Sequence, residues 1–196
     1  MKDRIGLSAE PRLFIAIPIP KQVKQQIGES IEQISHEQAF RKWVYPDDLH
    51  ITVKFLGAVK DERVEQVRQV VRDVAATHTP FMLTLNSLGT FGNPASPRIL
   101  WLGVEGDRKA LNVLQQDVEQ AVAPLGFAPE NRPYSPHVTL AKHYTGAAPH
   151  QLAHRGYEAL NRHFPYHVNV DALCVYQTHL GQTPMYEAIE TAQFDG

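Results

Sequence analysis

Asp48-Leu49-His50-Ile51-Thr52-Val53-Lys54-Phe55-Leu56-Gly57 is the stretch from which the fold can be read. Polar and apolar side chains alternate through it, as they do when an extended strand sends successive residues to opposite faces. Strict alternation places His50, Thr52 and Lys54 on one face and Ile51, Val53 and Phe55 on the other, which can be buried. Lys54 on the polar face is expected to be solvated. The pattern returns at His137-Val138-Thr139-Leu140. At this composition chance gives about half of one H-x-T match, yet three occur, the third being His143-Tyr144-Thr145. That copy runs into Gly146 without an apolar residue after Thr145, so it is expected to be the exit turn of the second strand. Two matched strands imply two lobes, each supplying one polar wall to a shared cleft.

Outward from these strands the pattern is of alternating short elements. Residues 1–11 are expected to form a loose tail. Leu13 to Ile19 is expected to be a strand, and Val23, Ile27, Ile31 and Ile34 mark a helix over 21–35 with Pro20 at its start. Residues 36–48 are expected to be a connection. Gly57 closes the first motif strand, Asp61 is the expected cap of a second helix, and Val64, Val67, Val71 and Val74 form that helix's apolar stripe. Phe81 to Leu85 is a predicted strand, followed by a turn-rich stretch holding Gly89, Gly92, Pro94 and Pro97. Ile99 to Val104 is another strand. Asp107 opens a third helix, which Gly126 closes, and Pro129, Pro133 and Pro136 stiffen the approach to the strand 137–142. A polar helix near 149–160 and strands near 166–176 and 185–190 complete the chain. Short patterned strands favour an α+β fold: antiparallel or mixed sheets, with helices on one face and the cleft on the other.

Size and composition narrow the function. The 196 residues suit one bilobal domain spanning 1–196. A net charge of −2 argues against a protein that coats long nucleic acid, and leaves room for recognition of a single nucleotide or RNA end. Cys174 is the only cysteine, so no internal disulfide or cysteine-based zinc site can form, and it is expected in a buried strand. No apolar signal core follows Met1, and no run reaches the ~20 apolar residues of a membrane helix. The expected compartment is the cytoplasm, with no membrane or obligate protein partner and a monomeric state.

Two imidazoles across a cleft form an acid/base pair. With an ordinary pKa near ~6.5, one can be neutral while the other is protonated at neutral pH. In-line displacement at phosphorus uses such a pair, one ring taking a proton from the attacking oxygen and the other giving one to the leaving oxygen. The Thr52 and Thr139 hydroxyls can donate to non-bridging phosphoryl oxygens. No cofactor or metal is called for. His150 and His154 come nearest to a metal-binding helical pair, without a clear carboxylate partner. The G-x-x-x-x-G-K-[ST], H-E-x-x-H and G-x-S-x-G patterns are all missing.

Several blocks in order carry a resemblance. Arg12-Leu13-Phe14-Ile15-Ala16-Ile17, Leu49 to Gly57, Arg98-Ile99-Leu100-Trp101-Leu102-Gly103 and Arg132-Pro133-Tyr134-Ser135-Pro136-His137-Val138-Thr139-Leu140 together resemble the two-histidine (2H) phosphoesterase superfamily. Within it they are most similar to the RNA 2′,3′-cyclic phosphodiesterases, long called 2′-5′ RNA ligases. The resemblance implies a bilobal, pseudo-two-fold fold with a V-shaped groove. It also implies metal-independent hydrolysis of RNA 2′,3′-cyclic phosphate ends to 2′-phosphomonoesters. His137 would activate water, His50 would protonate the departing 3′ oxygen, and Thr52 and Thr139 would hold the phosphate. Reverse, ATP-independent 2′-5′ joining is implied too.

Many members of that family place an arginine where Lys142 stands. Lysine keeps the charge and loses the bidentate fork. Alternation puts Lys142 on the face opposite His137, so it reaches the cleft only through a bulge or a strand-end twist. Phe14, Trp101 and Tyr134 are candidate base contacts, and Arg98 and Arg132 are candidate contacts to neighbouring phosphates. A small cyclic phosphate, a 2′-5′ oligonucleotide, or non-catalytic binding of RNA ends are the alternatives.

Overall fold

The computed structural model describes residues 10–147, 158, 160 and 163–195. The expected tail over 1–11 falls largely outside these residues. So does most of the expected helix near 149–160, with His150 and His154. In chain order the elements are β1 (Arg12–Pro18), α1 (Lys21–Glu37), β2 (Phe40–Trp43), β3 (His50–Ala58), α2 (Asp61–Ala75), β4 (Phe81–Asn93), β5 (Ser96–Gly106), α3 (Arg108–Val122), β6 (His137–Tyr144), β7 (Tyr166–Val170), β8 (Ala172–Thr178) and β9 (Tyr186–Gln193). The strands form two sheets, in the orders β3-β1-β8-β9 and β2-β6-β5-β4-β7. Every pairing is antiparallel.

The sheets repeat one plan. Each H-x-T strand lies beside a strand with an arginine in its first three residues, β3 beside β1 with Arg12 and β6 beside β5 with Arg98. The helices are exchanged between them. The helix following β1 packs on β2 and β7 of the other sheet, while the helix following β5 packs on β3 of the first. Helix α1 buries Val23, Ile27, Ile31 and Ile34, the i, i+4 stripe seen in the sequence, and α3 buries Leu111, Leu114, Val118 and Val122. One apolar core therefore runs through both sheets, joining Ile15 and Val175 of the first to Leu100 and Val138 of the second. No helix among the described residues is long and apolar enough to cross a membrane.

Several expectations require correction. The connection 36–48 contains β2, whose Lys42 and Trp43 pair with Lys142 and Ala141; four residues are too few to show a period. The turn-rich stretch after Leu85 is the body of a long hairpin, β4 with β5. Gly89 lies within a strand, because a Cβ there would collide with the Trp101 indole on the paired strand. Asp61 is the first helical residue and Lys60 the cap. Asp107 does cap α3, its carboxylate accepting from the Ala110 N–H at 2.9 Å. β6 continues to Tyr144 rather than turning out at His143, which adopts φ 60°. The predicted strand 166–176 is two strands, β7 and β8, in different sheets, with Asp171 between them. Gly126 ends the turn after α3 at φ 87°, a left-handed conformation that glycine takes without strain.

Candidate active site

β3 and β6 meet where the two sheets come together, and a cavity of about 650 Å³ opens between them. Its wall includes His50 and Thr52 from β3, Thr139 and Lys142 from β6, and Phe14 from β1. The His137 ring is not part of that wall. It lies two positions before Thr139 on the same strand face, close enough that its positive charge would lower the proton affinity of His50.

The two histidines are held alike. His50 Nδ1 lies 2.7 Å from the Asp48 carbonyl and His137 Nδ1 lies 2.8 Å from the Ser135 carbonyl. A carbonyl only accepts, so each Nδ1 carries the hydrogen and donates it, which leaves Nε2 free for chemistry. On His50 that Nε2 is 3.1 Å from Thr52 Oγ1, whose hydroxyl donates to the neutral ring. Aromatic rings back each imidazole: Phe14, Tyr176 and Tyr186 around His50, with Phe91 and Trp101 around His137. Burial in these surroundings lowers the His50 pKa to about 4, and burial likewise lowers that of His137. Both rings are therefore neutral at pH 7, which differs from the expected split of one neutral and one charged.

Strict alternation fails at the same place in both motif strands. In β3, Ala16 pairs with Thr52 and Ile15 with Lys54, so Val53 is an extra residue; in β6, Trp101 pairs with Thr139 and Leu100 with Ala141, so Leu140 is extra. Each bulge reverses the facing of the residues that follow it, in β3 as far as a second register shift at Leu56. Lys54 consequently turns inward, only 2% exposed, and Phe55 turns outward to the cleft, 63% exposed. Both outcomes reverse the expectation from alternation. Lys54 is not solvated: its Nζ donates to the two Glu119 carboxylate oxygens at 3.0 and 2.8 Å and to the Ala128 carbonyl at 2.7 Å. On β6 the same reversal brings Lys142 into the cavity wall. There burial and the neighbouring Lys42 depress the Lys142 pKa.

The remaining candidates separate. Phe14 is 4% exposed and packs on His50, with ring centroids 4.8 Å apart. Trp101 packs on Phe91 and His137 and is not in the cavity wall. Tyr134 donates its hydroxyl to the Thr52 carbonyl at 2.9 Å, tying the approach to β6 onto β3. Arg98 is exposed beside Gly92 in the β4–β5 hairpin, and Arg132 is exposed beside Tyr134 around a second, smaller cavity. Neither arginine lines the main cavity.

Other residues of the site escaped the sequence reading. Asp48 is buried, and its carboxylate accepts from the Met185 and Tyr186 N–H groups at 2.9 to 3.0 Å, while its carbonyl holds His50. It thereby anchors the β8–β9 connection against the first motif. Arg12, Lys42 and Phe55 also line the cavity. Among the described residues no three His, Cys, Asp or Glu side chains cluster as metal ligands would.

Residues 21–182 match the 2′-5′ RNA ligase superfamily. The chain belongs to that family. A relative from Geobacillus stearothermophilus, named RNA 2′,3′-cyclic phosphodiesterase, is 40% identical over 177 residues, covering 90% of this chain and 55% of the relative. The chain thus spans little more than half of that protein. A relative of the same name from Bacillus subtilis is 33% identical over 184 residues, covering 91% of this chain and 94% of the relative. Among solved structures, TT0787 of Thermus thermophilus superposes with a TM-score of 0.76 at 22% identity over 94% of this chain and 98% of that one. E. coli LigT complexed with 3′-AMP superposes at 0.75 with 24% identity, over 95% and 100%. Both superpositions show the fold alone, the two-sheet α+β architecture described above.

Proposed function

We propose that this chain hydrolyses RNA 2′,3′-cyclic phosphate ends to 2′-phosphomonoesters, using His50 and His137 as an acid/base pair and no metal ion. The observation that carries this reading is the convergence of two identically held H-x-T strands, from different sheets, on one cavity. It agrees with the activity named for the relatives above.

One imidazole Nε2 accepts a proton from water as the water oxygen bonds to phosphorus. The P–O3′ bond breaks, the other imidazole gives its proton to the 3′ oxygen, and the 2′ ester remains. In the allocation that the family resemblance implies, His137 is the base and His50 the acid. The free site holds both rings neutral. The acid therefore gains its proton with the substrate, whose negative charge beside the ring raises the ring's proton affinity. Thr52, Thr139 and Lys142 supply donors and positive charge to the non-bridging oxygens. Run backwards, with a 5′-hydroxyl as nucleophile, the same steps join two RNAs through a 2′-5′ linkage without ATP.

The test is product analysis on a short oligonucleotide ending in a 2′,3′-cyclic phosphate, before and after exhaustive chelation. Multiple turnovers to the 2′-monoester alone, unchanged by chelation, are expected. A 3′-monoester, or activity lost to chelation and restored by a metal, would contradict the mechanism. Binding without turnover would leave an RNA-end binding protein, and preferred hydrolysis of a small cyclic phosphate would replace the substrate.

A further inference from the structure

We infer that Tyr134 is a positioning residue of the reaction, its hydroxyl bond to the Thr52 carbonyl fixing where the His137 imidazole stands relative to the His50 half of the site. The inference rests on the two-histidine reading given above. Tyr134 does not line the main cavity; its ring borders the smaller one beside Val53, the extra residue of β3. Its effect on the reaction therefore runs through backbone rather than through contact with substrate. β3 is an edge strand of its sheet, which leaves backbone carbonyls open to donors from elsewhere. At Thr52 that donor is the Tyr134 hydroxyl, at 2.9 Å. Burial raises the Tyr134 pKa, so the phenol keeps its proton and donates throughout the range in which the histidines titrate.

The segment 127–136, which delivers His137, contains no helix or strand. Side-chain bonds fasten it to β3 on each side of the extra residue. Lys54 Nζ donates to the Ala128 carbonyl at 2.7 Å, and Tyr134 donates to Thr52. Tyr134 is the fastening nearer the site. The residue after it, Ser135, offers the carbonyl that accepts from His137 Nδ1 at 2.8 Å. In the other direction, Thr52 Oγ1 lies 3.1 Å from His50 Nε2. The two imidazoles are thus linked through Thr52, Tyr134 and Ser135. The opposite half has a counterpart made of backbone alone: on the approach to β3, the Val44 N–H donates at 2.8 Å to the carbonyl of Leu140, the extra residue of β6. Each approach is therefore moored to the bulge of the other motif strand, and Tyr134 is the mooring that a side-chain substitution can cut. In-line displacement needs both rings aligned on one phosphorus, and an error of ~1 Å can cost ~10²-fold.

Tyr134→Phe deletes one oxygen and keeps the packed ring. On an oligonucleotide ending in a 2′,3′-cyclic phosphate, kcat should fall roughly 3- to 10-fold, the worth of one neutral hydrogen bond, with KM nearly unchanged. Added to His137→Ala, the same change should cost nothing further, because it acts through that ring; added to Lys142→Ala, its effect should multiply. Proton NMR titration reads the same placement without turnover. Burial lowers the His137 pKa, so in Tyr134→Phe that ring, less shielded from water, should titrate closer to the ordinary histidine value. His50, still held by the Asp48 carbonyl at the end of a strand paired with β1, should not move. That shift, in a protein that hydrolyses no cyclic phosphate, would uphold the positioning role and overturn the enzymatic reading. An unmoved His137, a raised KM at unchanged kcat, or a further loss in the His137→Ala background would overturn the positioning role. A lower urea midpoint with kcat and both titrations unchanged would overturn it too, leaving a purely structural bond.

Discussion

The two motif strands begin as copies and end as opposites. β3 and β6 each present histidine, an apolar residue and threonine, and each inserts one extra residue directly after the threonine. Position for position beyond that bulge, Lys54 of β3 matches Ala141 of β6 and Phe55 matches Lys142. The inward place takes a lysine in one strand and an alanine in the other; the cleft place takes a phenylalanine and a lysine. A lysine in the strand motif thus has two different jobs, set by a single backbone insertion. Lys54 holds α3 to β3 through Glu119, and Lys142 faces the cavity. The difference also gives the cleft a direction, with an aromatic plate on the β3 side and a cation on the β6 side.

The shared half of the comparison predicts the largest effect. His50→Ala and His137→Ala should each lower kcat by about 10²–10⁴-fold with the fold intact, because each removes one proton-transfer step. Circular dichroism beside steady-state rates checks this. Near-normal turnover in either variant would break the equivalence of the strands.

The divergent half predicts losses of different kinds. Glu119→Ala strands the Lys54 ammonium in the interior, and breaking a buried pair in this way costs about 3–5 kcal/mol of stability, read as a lower midpoint in urea. Lys142→Ala should leave that midpoint nearly unchanged and lower kcat/KM by roughly 10- to 150-fold, the worth of a hydrogen bond to a charged group. If Lys142→Ala unfolded the protein and Glu119→Ala slowed only catalysis, the assignments would be reversed.

How much of this was legible follows from which residues carry their signal locally. His50, Thr52, His137 and Thr139 stand out in the sequence because spacing and strand context repeat, and the helical stripes of α1, α2 and α3 are long enough to show a period. Phe55 and Lys54 were misassigned because a bulge is set by pairing with β1, a partner some forty residues away, and leaves no local mark in Val53-Lys54-Phe55. Lys142 could be placed in the cleft only by invoking a bulge, and the register of β6 contains one. Gly89 carries a turn signal but serves a close approach to Trp101. Asp48 was invisible for the reason that hid Lys54: its partners, the Met185 and Tyr186 amides, lie far along the chain.

The central claim is that both imidazoles address one phosphate, and proton NMR titration of the two histidine rings, with and without a nucleoside 2′-monophosphate, tests it most directly. In the free protein His50 should titrate at about 4, and His137 below the ordinary histidine value. One equivalent of the phosphate should raise both together, since a neighbouring anion favours the protonated ring. A rise in one ring alone, or His50 titrating at an ordinary value in the free protein, would contradict a shared site.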